Sequence, residues 1–126
     1  MTSPVGPGRR ILVVEDELVL AMEIEDAVAA LECEVVGPAA TLEAATWLVE
    51  RERVDAAVLD INIRDGKVFP LAEVLVARGV PILLASGYSD WAFPETLRGQ
   101  PRVSKPFTCD EMKREIASLF DRALAR

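Results

Sequence analysis

Apolar positions along the chain switch between two rhythms. Ile11-Leu12-Val13-Val14 is an unbroken run rich in β-branched residues, the pattern of a strand buried on both faces. It stops in three acids, Glu15-Asp16-Glu17. From Leu18 to Leu31 the apolar residues Leu20, Ile24, Ala27, Val28 and Leu31 recur at helical spacing, with Glu23, Glu25 and Asp26 on the wet side. Glu34-Val35-Val36 reads as a short second strand stopped by Gly37-Pro38. Thr41 is placed as the N-cap of a helix whose buried stripe is Leu42, Ala45, Leu48 and Val49, ending near Arg53. Val54 to Leu59 forms a third strand that ends in Asp60. Pro70 sits near a helix start, where its missing N–H costs little. Leu71, Val74, Leu75 and Arg78 continue that helix, and Gly79 ends it. Pro81 to Ala85 is a fourth strand, followed by Ser86-Gly87-Tyr88. Between Ser89 and Gln100, Trp91, Phe93 and Leu97 have the spacing of a short helix, which Pro94 and Gly99 weaken. Arg102-Val103-Ser104 is a brief fifth strand. Thr108 and Glu111 then have capping-box spacing ahead of an amphipathic helix marked by Met112, Ile116, Leu119, Phe120 and Ala123.

Five strands alternating with five helices imply an α/β fold with a parallel sheet, because parallel strands need crossovers. Right-handed crossovers make the sheet doubly wound, with helices on both faces. Ligands of such sheets bind outside the carboxyl ends of the strands. The chain of 126 residues suits one domain, expected over residues 9–126, after a flexible Pro- and Gly-containing leader over 1–8.

Composition narrows the chemistry. Hydrophobic residues make up 51% and charged residues 28%, enough for a core with a wet surface. No apolar run approaches the ~20 residues of a membrane span, and the leader lacks the apolar core of a secretory signal. A cytoplasmic protein without membrane association is expected. The net charge of −7, with no Lys/Arg stripe, argues against direct nucleic-acid binding. Cys33 and Cys109 lie far apart beside apolar stretches and read as inert thiols. The absence of histidine removes His-based metal sites and Ser-His catalysis together.

What remains is a set of groups delivered to one sheet edge. The first strand ends at Glu15 and Asp16, the third at Asp60, the fourth at Ser86 and the fifth at Lys105. Each has an ordinary explanation by itself: an acidic helix start, a turn-forming Asp, Ser-Gly turn chemistry, a solvated lysine. Their arrival at one edge suggests a common purpose. Three crowded carboxylates call for a cation, and an all-oxygen donor set selects a hard ion, with Mg²⁺ the expected one. An Asp carboxylate can attack phosphorus to give an acyl phosphate, with an ammonium and a hydroxyl on the equatorial oxygens.

Val13-Val14-Glu15-Asp16-Glu17, the strand-end Asp60, Ala85-Ser86-Gly87 and Lys105-Pro106-Phe107 together resemble the receiver domain of two-component response regulators. The resemblance runs from about Arg9 to the end. It implies a flavodoxin-like (βα)5 sheet of order 2-1-3-4-5, with Asp60 as phospho-acceptor. It further implies Glu15, Asp16, Asp60 and the backbone carbonyl of Asn62 as Mg²⁺ ligands, and Ser86 and Lys105 as phosphoryl contacts. It implies a cis Lys105–Pro106 bond. The expected partners are a histidine kinase or histidine phosphotransfer protein and an unidentified downstream protein. With no segment left for an output domain, the expected output is a changed surface between Ser86 and Phe107, where Tyr88, Arg102 and Pro106 lie. A phosphorelay carrier or phosphate sink is the alternative within the family.

Three departures stand out. Arg102 occupies the position where many receivers carry an aromatic switch residue. The stretch after Asp60 is short and, through Leu83-Leu84-Ala85-Ser86-Gly87-Tyr88, resembles the atypical FATGUY subgroup of stand-alone receivers. Leu84 and Ser86 replace that subgroup's Phe and Thr. Tyr88 either takes over an aromatic signalling role or packs over the loop. A Mg²⁺-dependent phosphatase is disfavoured because Asn62, two residues after Asp60, cannot act as general acid. The chemistry expected is therefore self-phosphorylation and slow self-hydrolysis, not turnover of a separate substrate. Nucleotide binding is weaker still, since Gly6-Pro7-Gly8 precedes the first strand instead of following it.

Overall fold

The computed structural model describes residues 8–87 and 93–124. Its main sheet is built from β1 (Arg10–Val14), β2 (Glu34–Ala39), β3 (Ala56–Asp60), β6 (Ile82–Ser86) and β7 (Arg102–Ser104). All four pairings in the sheet are parallel, and the order is β2-β1-β3-β6-β7. Two short strands, β4 (Asn62–Ile63) and β5 (Gly66–Lys67), form a separate antiparallel hairpin. Without that hairpin the order is the expected 2-1-3-4-5 of a flavodoxin-like sheet.

Strand alternation divides the core in two. Leu12, Val14, Ala57, Leu59, Ile82 and Leu84 face one side, where α2 (Leu42–Arg51) and α3 (Phe69–Ala77) cover them. Ile11, Val13, Ala56, Val58, Leu83 and Ala85 face the other, under α1 (Leu18–Ala30) and α4 (Cys109–Leu124). β3 is buried along its whole length, so anything it carries at its carboxyl end rests on a rigid support. No helix among the described residues is long and apolar enough to cross a membrane.

Several boundaries differ from the sequence expectation, each for a physical reason. β2 does not stop at Gly37-Pro38 but runs to Ala39 through a register shift between Leu12 and Val14 of β1. Gly37, at φ 104°, takes up the irregularity, and Pro38 is tolerated because β2 is an edge strand that needs no outward donor. A Cβ on Gly37 would lie 2.8 Å from the Ala39 nitrogen and 2.9 Å from the Val13 oxygen, so the position admits only glycine. β3 begins at Ala56 instead of Val54 and includes Asp60. Just before it, Asp55 turns to accept the Arg10 N–H on Oδ2 at 2.8 Å. α2 ends at Arg51, short of Arg53. Within α3, Leu71, Ala72 and Leu75 are buried and Val74 is exposed. Where a fourth helix was expected, the described residues contain only a 3₁₀ turn at Glu95–Leu97, while Phe93 and Leu97 are buried as their spacing suggested. Tyr88 and Trp91 lie outside the described residues.

The capping box forms in full. Thr108 Oγ1 accepts from the Glu111 N–H at 3.1 Å, and Glu111 Oε1 accepts from the Thr108 N–H at 3.3 Å. Thr108→Ala is expected to cost about 1 kcal/mol. The check is a lower urea midpoint at unchanged slope.

Candidate functional site

The carboxyl ends of β1, β3 and β7 converge on one cluster. Glu15 follows β1 and is fixed by its N–H, which donates to the Ala39 carbonyl at the end of β2 at 2.9 Å. Its Oε2 accepts from the Glu17 N–H at 3.2 Å. Asp60, the last residue of β3, is paired in register with Ala85 of β6. Its Oδ1 accepts from the Asn62 N–H at 3.2 Å. Lys105 follows β7, and its N–H donates to the Ser86 carbonyl at 2.9 Å. From there its ammonium reaches Asp60 Oδ2 at 2.9 Å and Glu15 Oε2 at 3.3 Å. Half-buried Asp16 completes the group, and Glu15, Asp16 and Asp60 each offer an oxygen within 4.8 Å of the others.

The electrostatics are unbalanced. Glu15 and Asp60 are both buried, and Lys105 is the ammonium bound to them. Burial, then the charge of Asp60, pushes Glu15 from its ordinary 4.5 up to about 7. Burial also raises Asp60, although the hydrogen bond from Lys105 opposes the rise. Burial would lower Lys105, but its contacts with Asp60 and Glu15 outweigh that and raise it. Glu15 Oε1 is buried and has no hydrogen-bond partner among the described residues. An orphaned carboxylate oxygen among three converging carboxylates fits a hard cation, for which oxygen donors without sulfur or imidazole are the right set.

A pH dependence follows in chelated buffer. A carboxyl whose folded pKa is raised binds its proton more tightly in the folded state, so stability falls as pH rises. For Glu15 this penalty is absent below about 4.5 and complete above about 7. Thermal melts in EDTA should therefore show a lower Tm at pH 8 than at pH 5, beyond any shift seen in a Glu15→Gln variant. Added Mg²⁺ should raise Tm more at pH 8 than at pH 5.

An open cleft of about 660 Å³ lies over the cluster, lined by Asp16, Asp60, Asn62, Lys105 and Pro106 among others. The Lys105–Pro106 bond is cis. Ser86 is half-buried at the end of β6, and the next residue, Gly87, is the one that lines the cleft. Arg102 is not at the cleft. It is exposed at the start of β7, with its guanidinium 3.8 Å from the centroid of the buried Phe93 ring and Nη2 donating to the Arg98 carbonyl at 3.2 Å. Phe93 in turn meets Phe69 with ring centroids 5.7 Å apart. An aromatic thus lies beside the Arg102 position, supplied by another segment.

Sequence reading missed the hairpin that follows Asp60. Its Asp65 accepts from the Leu42 N–H on Oδ1 at 2.7 Å and from the Glu43 N–H on Oδ2 at 3.3 Å, capping α2 from outside. The Leu42 hydrogen bond holds the Asp65 carboxyl below its ordinary value. Lys67, paired with Asn62 across the hairpin, donates to the Asn62 side-chain oxygen. Asp65-Gly66 was the available signal, since Asp-Gly is common hairpin chemistry.

No family model matches the chain. Among solved structures, SdrG from Sphingomonas melonis Fr1 is 39% identical, with 90% of this chain and 97% of that one covered and a TM-score of 0.78. The response regulator PhyR from Brucella abortus is 34% identical, with 94% of this chain and 50% of that one covered and a TM-score of 0.74. The transcriptional regulatory protein PdtaR from Mycobacterium tuberculosis is 27% identical over 109 residues, 82% of this chain. The chain spans about half the length of the curated relatives it matches. With that likeness along nearly the whole of SdrG, and with the parallel sheet that carries its acidic cluster, the chain belongs to the receiver family of response regulators.

Proposed function

We propose that the chain is a phosphorylation-dependent switch in which Asp60 accepts a phosphoryl group from a histidine kinase or histidine phosphotransfer protein. The observation that carries this reading is the contact of one ammonium, Lys105, with both Asp60 and Glu15 at the floor of an open cleft. Glu15, Asp16, Asp60 and the backbone carbonyl of Asn62 are the residues that would hold Mg²⁺. The bound ion supplies neutralisation of the carboxylates and of phosphoryl oxygens.

The chain's own residues do the rest. Asp60 supplies the nucleophilic oxygen, and its place on a buried strand fixes the direction of attack. The new acyl phosphate needs a counter-charge, and Lys105 is already within contact distance of that carboxylate. Ser86 offers a hydroxyl one residue past the β-sheet partner of Asp60. Leu18, Val19 and Met22 are exposed at the start of α1, and Val19 also lines the cleft. A donor protein that covered them would bring its phosphohistidine over Asp60.

Output is a changed surface between Ser86 and Phe107, recognised by a downstream protein. Phosphorylation adds up to about two negative charges at Asp60 and biases this surface between two states. Binding of the protein to its downstream partner should change when beryllofluoride and Mg²⁺ are added together, and not with either alone. Equal binding in all conditions would favour a carrier that moves phosphoryl groups without switching.

A further inference from the structure

Most of α2 follows the rule of a surface helix, with Ala45 and Val49 buried and Glu43, Glu50 and Arg51 in water. Trp47 breaks it, at 53% exposure. Its ring is nonetheless held. The Arg51 guanidinium lies 4.4 Å from the ring centroid, and Arg51 Nη1 donates to the Trp47 carbonyl at 3.2 Å. Beside the ring runs an open groove of about 670 Å³ between α2 and the edge strand β2, lined by Pro38, Ala39, Ala44, Leu48 and Trp47 among others. Glu43 is the charged residue in that lining, and it has no ion-pair partner among the described residues.

Glu43, Trp47 and Arg51 follow one another at four-residue steps, in one row along the exposed side of α2. The row has an acid at one end, a base at the other and the indole at its midpoint. An acid in the first turn and a base in the last also suit the helix dipole, which accounts for the charges but not for an exposed indole between them. A two-fold axis at Trp47 would set two such rows antiparallel. Glu43 of each copy then meets Arg51 of the other, and each indole faces the other copy's apolar groove. About 12 Å of helix separates the two charges, so one pair forms on each side of the central indoles.

We propose that the α2–β2 face is a self-association surface whose occupant is a second copy of this chain, packed antiparallel along the row Glu43, Trp47 and Arg51. The inference does not depend on the phosphoryl chemistry. β2 and β7 are opposite edges of the sheet, and no residue that lines the cleft over Asp60 also lines this groove. Each copy therefore keeps its cleft and its surface between Ser86 and Phe107 uncovered. The pair presents that surface twice, which strengthens the hold on any partner that is itself bivalent. One ten-residue helix and a strand edge make a contact of the small, transient class, below about 1,200 Å² in total. A Kd on the order of 100 µM is expected.

Sedimentation equilibrium of the whole chain, over concentrations about tenfold to either side of that value, reads the association. Wild type should pass from monomer to dimer and no further. Trp47→Ala should weaken association by about tenfold or more. Glu43→Arg and Arg51→Glu should each do the same, because each sets like charges together across the two-fold. An equimolar mixture of these two charge variants should dimerise again, since a basic row then faces an acidic one. Both variants stay net negative, as the chain's charge of −7 requires, so general attraction does not produce that recovery. Melting curves taken in parallel separate lost association from lost folding. Recovery in the mixture needs both chains folded, so it decides the matter even where Trp47→Ala melts early. A wild-type chain that stays monomeric throughout overturns the inference and leaves the groove to a different occupant. Association that survives Trp47→Ala, or folded charge variants that stay monomeric when mixed, overturns it as well.

Discussion

Asp60→Asn is expected to abolish labelling by acetyl phosphate in the presence of Mg²⁺, while the protein stays folded. The substitution keeps the size of the side chain but removes the anionic oxygen that attacks phosphorus. It also removes one of the carboxylates crowded around Glu15, whose proton affinity that charge raises. The variant therefore has a less strained cluster, and its Glu15 should titrate lower. A folded Asp60→Asn protein that still labels stoichiometrically would place the acceptor elsewhere.

The second large effect is expected at Lys105. Its side chain is only 16% exposed and contacts two carboxylates that are nearly inaccessible to water. Breaking a buried pair by removing one partner leaves an uncompensated charge, at a cost on the order of 3 kcal/mol. Lys105→Met should therefore destabilise the metal-free protein at pH 8. The sign of the pH dependence is fixed by linkage: without the ammonium, the carboxyls of Glu15 and Asp60 are raised further, so stability is lost as pH climbs through their range. Acidification to pH 5 should recover most of it, and Mg²⁺ at pH 8 should recover part. Labelling should also slow, because the acyl phosphate loses its counter-charge. Urea unfolding at the two pH values, with and without Mg²⁺, is the measurement. Equal destabilisation at both would mean that Lys105 contributes by packing alone.

Much of the fold could be read from periodicity, because the strands are buried on both faces and the helices on one. Ile11 to Val14 and Ile82 to Ala85 read as strands for that reason, and Leu20, Ile24, Ala27 and Val28 mark the buried face of α1. Reading failed where local signals met tertiary compensation. Gly37-Pro38 is a strong stop signal, yet a register shift on an edge strand absorbs it. Val74 follows the helical rhythm but faces water, because α3 is apolar around much of its circumference and periodicity loses its power to choose a face.

The candidate site was legible in Glu15, Asp16, Asp60 and Lys105 because parallel strands deliver their last residues to one edge. The burial of Glu15, its orphaned Oε1 and the hairpin carrying Asp65 and Lys67 were not legible. They depend on contacts across 22 residues or more, such as Asp65 to Glu43 and Leu42, or Lys105 to Asp60. Arg102 shows a different limit. A single position suggested a missing aromatic, while Phe93 lies against Arg102 from a separate segment.

The central claim is that the phosphoryl group resides on Asp60. Borohydride reduces an aspartyl phosphate to homoserine, so peptide mapping after reaction with acetyl phosphate, Mg²⁺ and borohydride identifies the residue. The account predicts homoserine at position 60, formed only when Mg²⁺ is present. Homoserine at another aspartate, or none in a sample that carries stoichiometric label, would contradict it.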